Sequence, residues 1–226
     1  MNIRPVLPIL LTIDVAYLLG AIVGDGTVYG GRKSRTSSSP HYRVSIYASN
    51  VDWLNNVCKA YHELLDVHPN IRFSVRVARM AKQGQYAVHI VHKSWHRFLT
   101  DEMNIPSGKK SGIVRVPVSI LRRPCLHAAF LSGYFDSDGG VSGRTIGWTS
   151  ASKQLLEDVS WMLSVQGVRS QLSSWTHKNG RSYFVLRVHR SYASSFLNEL
   201  CLLNTIRKQK CFLYLRMCRS GQTGRS

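Results

Sequence analysis

Acidic residues are scarce in this 226-residue chain, where 12 Asp and Glu stand against 30 Lys and Arg for a formal net charge of +18. A compact fold with that excess repels itself unless a polyanion screens it, so nucleic acid is the expected partner. The positive charge is interleaved with Tyr, Trp and Ser in strand-like segments rather than pooled in one tail. Cysteine is also sparse. The five residues Cys58, Cys125, Cys201, Cys211 and Cys218 are odd in number and contain no C-x-x-C pair, which argues against a disulfide framework and a cysteine zinc site and fits a reducing, intracellular setting. No uninterrupted apolar run reaches the roughly 18 residues of a membrane span, so no membrane association is expected. The apolar stretch after Arg4 is broken by Pro5, Pro8 and Asp14 and has no A-x-A-like cleavage site, so it reads as the approach to a helix capped by Thr12 and not as a secretion signal. The cytoplasm of a prokaryote or an organelle matrix is the expected location.

Two short stretches carry one pattern. Leu18 to Gly26 reads LLGAIVGDG, and Leu131 to Gly139 reads LSGYFDSDG. Each is an apolar helical run with small residues four apart, Gly20 and Gly24 in the first and Gly133 and Ser137 in the second, and each ends in an Asp followed by Gly. Small residues at that spacing let two helix backbones touch. Side by side, the two runs bring Asp25 and Asp138 together at helix C-termini, where the helix dipole itself repels a carboxylate. Such a pair calls for a cation. Two carboxylates with the free carbonyls of Gly24 and Ser137 make an all-oxygen site suited to Mg²⁺. Asp136 lies inside the second stretch, but its counterpart in the first is Val23, so register selects Asp25 with Asp138.

The paired stretches resemble the LAGLIDADG homing endonucleases, in the single-chain form that carries the motif twice. The resemblance implies an α+β fold of two pseudo-symmetric αββαββα half-domains packed through the motif helices, with antiparallel sheets forming a DNA-binding saddle. It divides the chain into a first half at 1–104, a linker at 105–124, a second half at 125–217 and a basic tail at 218–226. It also implies hydrolysis of one phosphodiester on each strand of a long asymmetric duplex site, with divalent ions held by Asp25 and Asp138. Duplication supplies both half-sites in one chain, so a monomer is expected.

The rest of the sequence repeats in the same order. In the first half a strand at Tyr42 to Ala48 is followed by a helix capped by Asn50, strands at Ile71 to Val77 and Tyr86 to Val91, and a helix marked by Trp95, Phe98, Leu99 and Met103. The second half offers a strand near Thr145 to Thr149, a helix from Ser152 ended by Gly167, a hairpin from about Val168 to His189, and a helix near Tyr192 to Leu203. Val91-His92-Lys93-Ser94-Trp95 is echoed by Val188-His189-Arg190-Ser191-Tyr192.

Alternation names the side chains on the open face of each sheet. Arg43, Ser45 and Tyr47 stand opposite Val44 and Ile46; Arg72, Ser74 and Arg76 stand opposite Ile71, Phe73, Val75 and Val77. Arg169, Gln171 and Ser173, then Tyr183, Arg187 and His189, form the row of the second half, and Arg144 begins another. A ribbon carrying Arg and Gln can enter the major groove and bond guanine and adenine edges. Arg32, Lys33 and Arg35, in the loop after the first motif, are expected on phosphates.

A transition state that gathers negative charge needs a cation nearby. Lys109-Lys110 and Lys208-Gln209-Lys210 occupy similar places after the last helix of each half; Lys109 and Lys208 are favoured, with Lys110 and Lys210 as register alternatives. Family members often carry Gln or Lys at the end of the strand corresponding to Tyr42 to Ala48, where this chain has Ala48 and Ser49, so the water-organising role in the first half is unassigned. Two rivals share the scaffold: a maturase that binds host intron RNA, and a DNA-binding regulator without cleavage. Retention of both acids favours the nuclease.

Overall fold

The computed structural model describes residues 9–30, 33–34, 37–40, 42–73, 85–142 and 145–220. Helix α1 (Ile13–Asp25) starts where the Thr12 hydroxyl accepts from the Val15 amide, with Asp14 facing the positive end of the helix dipole. Every residue from Val15 to Val23 is buried, which explains why its apolar residues run continuously instead of lying on one stripe. Strand β1 (Gly26–Tyr29), a short ribbon of β2 (Lys33–Ser34) and β3 (Ser37–Pro40), and strand β4 (Arg43–Ala48) follow. Next come α2 (Val51–Leu65), β5 (Ile71–Phe73), β6 (Tyr86–Val91), and α3 (Lys93–Arg97), which runs into a π-turn at Phe98–Glu102.

After a short α4 (Val118–Leu121), the second half repeats this plan with α5 (His127–Asp138), β7 (Gly139–Ser142), β8 (Thr145–Ser150), α6 (Lys153–Val165), β9 (Ser170–Thr176), β10 (Ser182–Val188) and α7 (Ala193–Glu199). The two antiparallel four-stranded sheets have the matching orders β1-β4-β6-β5 and β7-β8-β10-β9. This is the two-fold αββαββα architecture expected from the sequence. A last described helix, α8 (Thr205–Ser220), follows.

The motif helices are the joint between the halves. A Cβ on Gly20 would strike the Phe130 carbonyl and lie 2.7 Å from the Tyr134 amide nitrogen, and one on Gly133 would strike the Tyr17 carbonyl. Gly24 faces Ser137 in the same way. The glycines that end the two helices, Gly26 and Gly139, are in ordinary extended conformation (φ −83° and −67°). Their lack of a side chain serves space: a Cβ would crowd Ile22 in one case and the Phe135 ring in the other.

Packing across the joint is reinforced by polar contacts. Tyr17 donates to the Asp136 carboxylate at 2.6 Å and accepts from Trp53 Nε1 at 2.7 Å. Asn50, which caps α2, donates to Asn204 Oδ1 at 2.7 Å. The connecting segment is also pinned: Ile105, Val114 and Val116 are buried, and Arg115 pairs with Asp158 of α6 at 3.1 Å. Behind the second sheet Trp148 stacks on Tyr134 with ring centroids 5.8 Å apart and meets Phe135 and Phe196 edge-on.

Three expectations from the sequence are corrected. Phe73, expected on the core side of its strand, is 53% exposed, because β5 is an edge strand paired only with β6 and Phe73 leans edge-on against Tyr86. The helix expected near Tyr192 to Leu203 stops at Glu199. There α5 captures the backbone: the Cys201 amide donates to Ser132 Oγ at 2.9 Å and the Leu203 amide to Asp136 Oδ2 at 2.6 Å. Asn204 then starts α8 by accepting from the Arg207 amide, and that helix runs through the segment from Cys218 to Ser220 expected to open a basic tail. Residues 74–84, which include Val75 and Val77, lie outside the described residues.

Candidate active site and nucleic-acid interface

Because α1 and α5 lie side by side and end at the same level, their last residues share one site. A Cβ on Gly24 would come 3.4 Å from the Asp138 Cγ. Burial and then the charge of Asp138 push the half-buried Asp25 carboxyl up to about 7, against the pull of Lys110 and Arg207. Asp138 is raised as well. Its outer edge is exposed, but the protein packed around its carboxyl strips part of its water, again opposed by Lys110 and Arg207. Two carboxylates in one site resist ionising together.

Each helix end is plugged by a cation. Lys110 Nζ donates to the carbonyls of Ile22, Val23 and Gly24 at 2.5, 2.5 and 2.6 Å, using all three of its protons on the last turn of α1. Burial brings its pKa down to about 8, while Asp138 and Asp25 hold it up. Arg207 does the same for α5, donating from Nη2 to the Ser137 carbonyl at 2.7 Å. A cation there also meets the negative end of the helix dipole.

This geometry revises the lysine assignments. Lys110, the register alternative, reaches the site, whereas the favoured Lys109 points into solvent. In the second half neither Lys208 nor Lys210 takes the matching role. Both are exposed on α8, and Lys210 borders the cleft beside Asp25. Arg207 was missed. Its signal was Asn204 three residues earlier, which caps a separate helix beyond the one expected to end at Leu203.

The donor set fits a hard divalent cation in one respect and not in another. Two carboxylates in one site, both with raised pKa, want positive charge between them. The Gly24 and Ser137 carbonyls, expected as free ligands, are instead bonded to Lys110 and Arg207, so the carboxylates are the ligands on offer.

Asp25 and Asp138 each open into a cleft. The cleft at Asp138, about 320 Å³, is floored by Gly140 and Gly147, which pair across β7 and β8, and is flanked by Thr145, Thr149 and Arg187. The cleft at Asp25, about 270 Å³, is lined by Tyr47, Gln85, Asn50, Arg207 and Lys210. Gln85 precedes β6 beside the end of β4, where Ala48 pairs with Tyr86. It supplies an amide at the edge where Ala48 and Ser49 offered none. Asp136 borders this cleft too, but it is buried and its Oδ2 accepts from Tyr17 and Leu203, which is a structural role.

The sheet faces beside these clefts carry the expected row in the second half. Cross-strand pairing sets Arg187 against Gln171, and Arg187 Nη1 donates to Ser173 Oγ at 2.9 Å. Tyr183 stacks on Trp175 at 5.0 Å, an exposed aromatic absent from the sequence assignment although it lies two residues beyond Ser173 on the same face. Arg169 and His189 are exposed just outside their strands, joined by the His189 amide donating to the Arg169 carbonyl. In the first half Arg43 and Arg72 are exposed. Ser45 is a correction: it is buried, because its cross-strand neighbour His89 covers it and bonds its hydroxyl at 2.8 Å. Tyr47 leans edge-on against the same imidazole. Burial, with Arg43 and Arg72 nearby, lowers the His89 pKa, so this face draws its positive charge from arginine. Arg32, Arg35, Ser74, Arg76 and Arg144 lie outside the described residues, and of Lys33 only the backbone, in β2, is described.

Residues 126–201 match the family model of the LAGLIDADG-like domain. Most of the architecture superposes on homing endonucleases: on I-DmoI in complex with DNA and Mn with a TM-score of 0.64 at 21% identity, over 83% of this chain and 96% of that one. Meganuclease I-SmaMI bound to DNA gives 0.55 at 10% identity, over 95% and 92%. The fold is that of the LAGLIDADG homing endonucleases. The chain spans only a small part of the length of the curated relatives it matches. A replication factor C small subunit of Methanocaldococcus jannaschii is 35% identical over 41% of this chain and only 5% of its own length. A probable translation initiation factor IF-2 of Thermococcus kodakarensis is 32% identical over 52% of this chain and 10% of its own.

Proposed function

We propose that the protein is a site-specific double-strand DNA endonuclease that hydrolyses one phosphodiester on each strand of a long asymmetric site with divalent cations. The observation that carries this reading is the acid pair at the abutting ends of α1 and α5, each acid at the foot of an arginine-bearing sheet. The I-DmoI structures, which hold DNA with Mn or Ca, support it.

In this reading Asp25 and Asp138 hold the metal, which when bound supplies Lewis acidity and lowers the pKa of water. The chain's own residues do the rest. Lys110 and Arg207, anchored on the helix ends, set positive charge beside the place where the phosphate gathers negative charge. Gln85 and Lys210 orient water in the cleft at Asp25, and the cleft at Asp138 leaves that task to Thr145 and Thr149. The two clefts therefore differ in their polar lining, and the two strands are cut at different rates. Arg187 and Gln171 read base edges in the major groove, while Arg43, Arg72, Arg32, Lys33 and Arg35 hold backbone or bases of the other half-site. One chain covers both half-sites as a monomer.

Sequencing the ends formed when the purified protein meets a large duplex library with Mg²⁺ tests this. The reading expects recurrent breaks around one long asymmetric sequence, absent with Asp25→Asn and Asp138→Asn. No breaks, together with tight retention of structured intron RNA, would move the assignment to a maturase.

A further inference from the structure

Far from the acid pair, the C-terminal end of α2 gathers three side chains of metal-ligating type. His62 stands in the last turn, Asp66 caps the helix, and His68 follows two residues on. One ligand atom of each lies within 4.8 Å of those of the other two, and all three residues are exposed. Asp66 adopts a left-handed conformation (φ 52°) while its amide still bonds the His62 carbonyl at 2.9 Å. That turn brings His68 back over His62, with ring centroids 4.2 Å apart and planes tilted by 30°. Among the described residues, these three side chains have no hydrogen bond or ion pair to another group.

We propose that His62, Asp66 and His68 form a second metal site, distinct from the acid pair and selective for a borderline divalent ion such as Zn²⁺. Two imidazoles and a carboxylate match the donors of three-ligand zinc sites, which leave a fourth position to water. Imidazole donors disfavour Mg²⁺, so the ion that serves the acid pair does not compete here. Donor atoms on a tetrahedral zinc stand about 3.3 Å apart, so closing the cluster takes a shift of about 1.5 Å or less by exposed side chains. The helix spacing of His62 and Asp66 puts them on one face, and His68 supplies the ligand that a helix alone cannot. Asn50, at the opposite end of α2, lines the cleft at Asp25. A helix of 15 residues separates the two sites by roughly 22 Å. Bound there, the ion fastens the end of α2 to the chain entering edge strand β5. An ion that binds only the folded protein also stabilises it.

Equilibrium dialysis against micromolar Zn²⁺ in excess Mg²⁺, with Co²⁺ absorption as the spectroscopic probe, tests the site on the full chain. The wild type and an Asp25→Asn, Asp138→Asn variant are expected to retain one zinc per chain, to show the d–d bands of low-coordinate Co²⁺, and to melt at higher temperature with Zn²⁺ than without. His62→Gln with His68→Gln is expected to lose all three signals while keeping the metal-free melting temperature. Equal zinc retention in the two histidine settings, or no retention by the wild type, overturns the proposal. Loss of zinc in the acid variant alone also overturns it, by placing the ion at Asp25 and Asp138.

Discussion

At the end of α1 a carboxyl that ordinarily titrates near 4 is pushed up to about 7 by burial and by its partner acid. The folded, metal-free protein therefore holds that proton more tightly than the unfolded chain does. The site's contribution to stability is complete below about pH 4 and is lost as pH rises through about 7. Chemical denaturation with chelator at pH 5 and pH 8 should show the wild type losing on the order of 2 kcal/mol more than Asp25→Asn. Mg²⁺ should restore the wild type at pH 8. Parallel behaviour of the two proteins would show that the fold does not raise the Asp25 pKa. Asp25 and Asp138 were legible in the sequence because their motif occurs twice, and repetition sets register. Lys110 was not separable from Lys109, since the direction of a loop side chain depends on tertiary contacts. Here the Gly108 amide bonds the Val28 carbonyl and the turn aims Lys110 inward.

Strand alternation named one sheet face well and another less well. In the second half β10 is central, so Arg187, Gln171 and Ser173 emerge together as the period of two requires. In the first half Ser45 is too short to clear His89, and Phe73 sits where the sheet ends. Periodicity reports which face a side chain takes and is silent about neighbours that cover it. Helix α8 was missed for a related reason: its start depends on Asp136 and Ser132 drawing the preceding chain off its helical path. For the β9–β10 face the prediction is specific. Arg187→Ala should relax base preference at one or two positions of the target by about 1–3 kcal/mol each, without a uniform loss of affinity. Cleavage profiles on single-base site variants measure this, and an unchanged profile would remove Arg187 from the readout.

The molecule as a whole behaves as two copies of one unit sharing a single core, and its asymmetries are concentrated at the seam. Asp136 has no acidic counterpart in the first motif, where Val23 stands. Its buried carboxyl joins Tyr17 and, through Tyr17, Trp53 of the first half to Leu203 of the second. Burial raises its pKa, while the Tyr17 hydroxyl and the Leu203 and Asn204 contacts hold it down. Tyr17→Phe strands the Trp53 indole and part of that carboxylate, at a cost of about 2–3 kcal/mol in unfolding free energy. Denaturant titration checks this, and a loss below about 0.5 kcal/mol would show that the seam does not rely on the network. The sequence could announce duplication and the helix seam through Gly20, Gly24, Gly133 and Ser137. It could not announce which polar residues cross the seam, because Tyr17 and Asp136 meet only once the halves are docked.

Whether two acids at one helix seam cut two DNA strands is decided by single-turnover cleavage of the recovered site with Mg²⁺. Wild type, Asp25→Asn and Asp138→Asn would be compared at matched site occupancy. Double-strand scission by the wild type alone is expected, with both variants still binding the site. Full double-strand cleavage by either variant would contradict this.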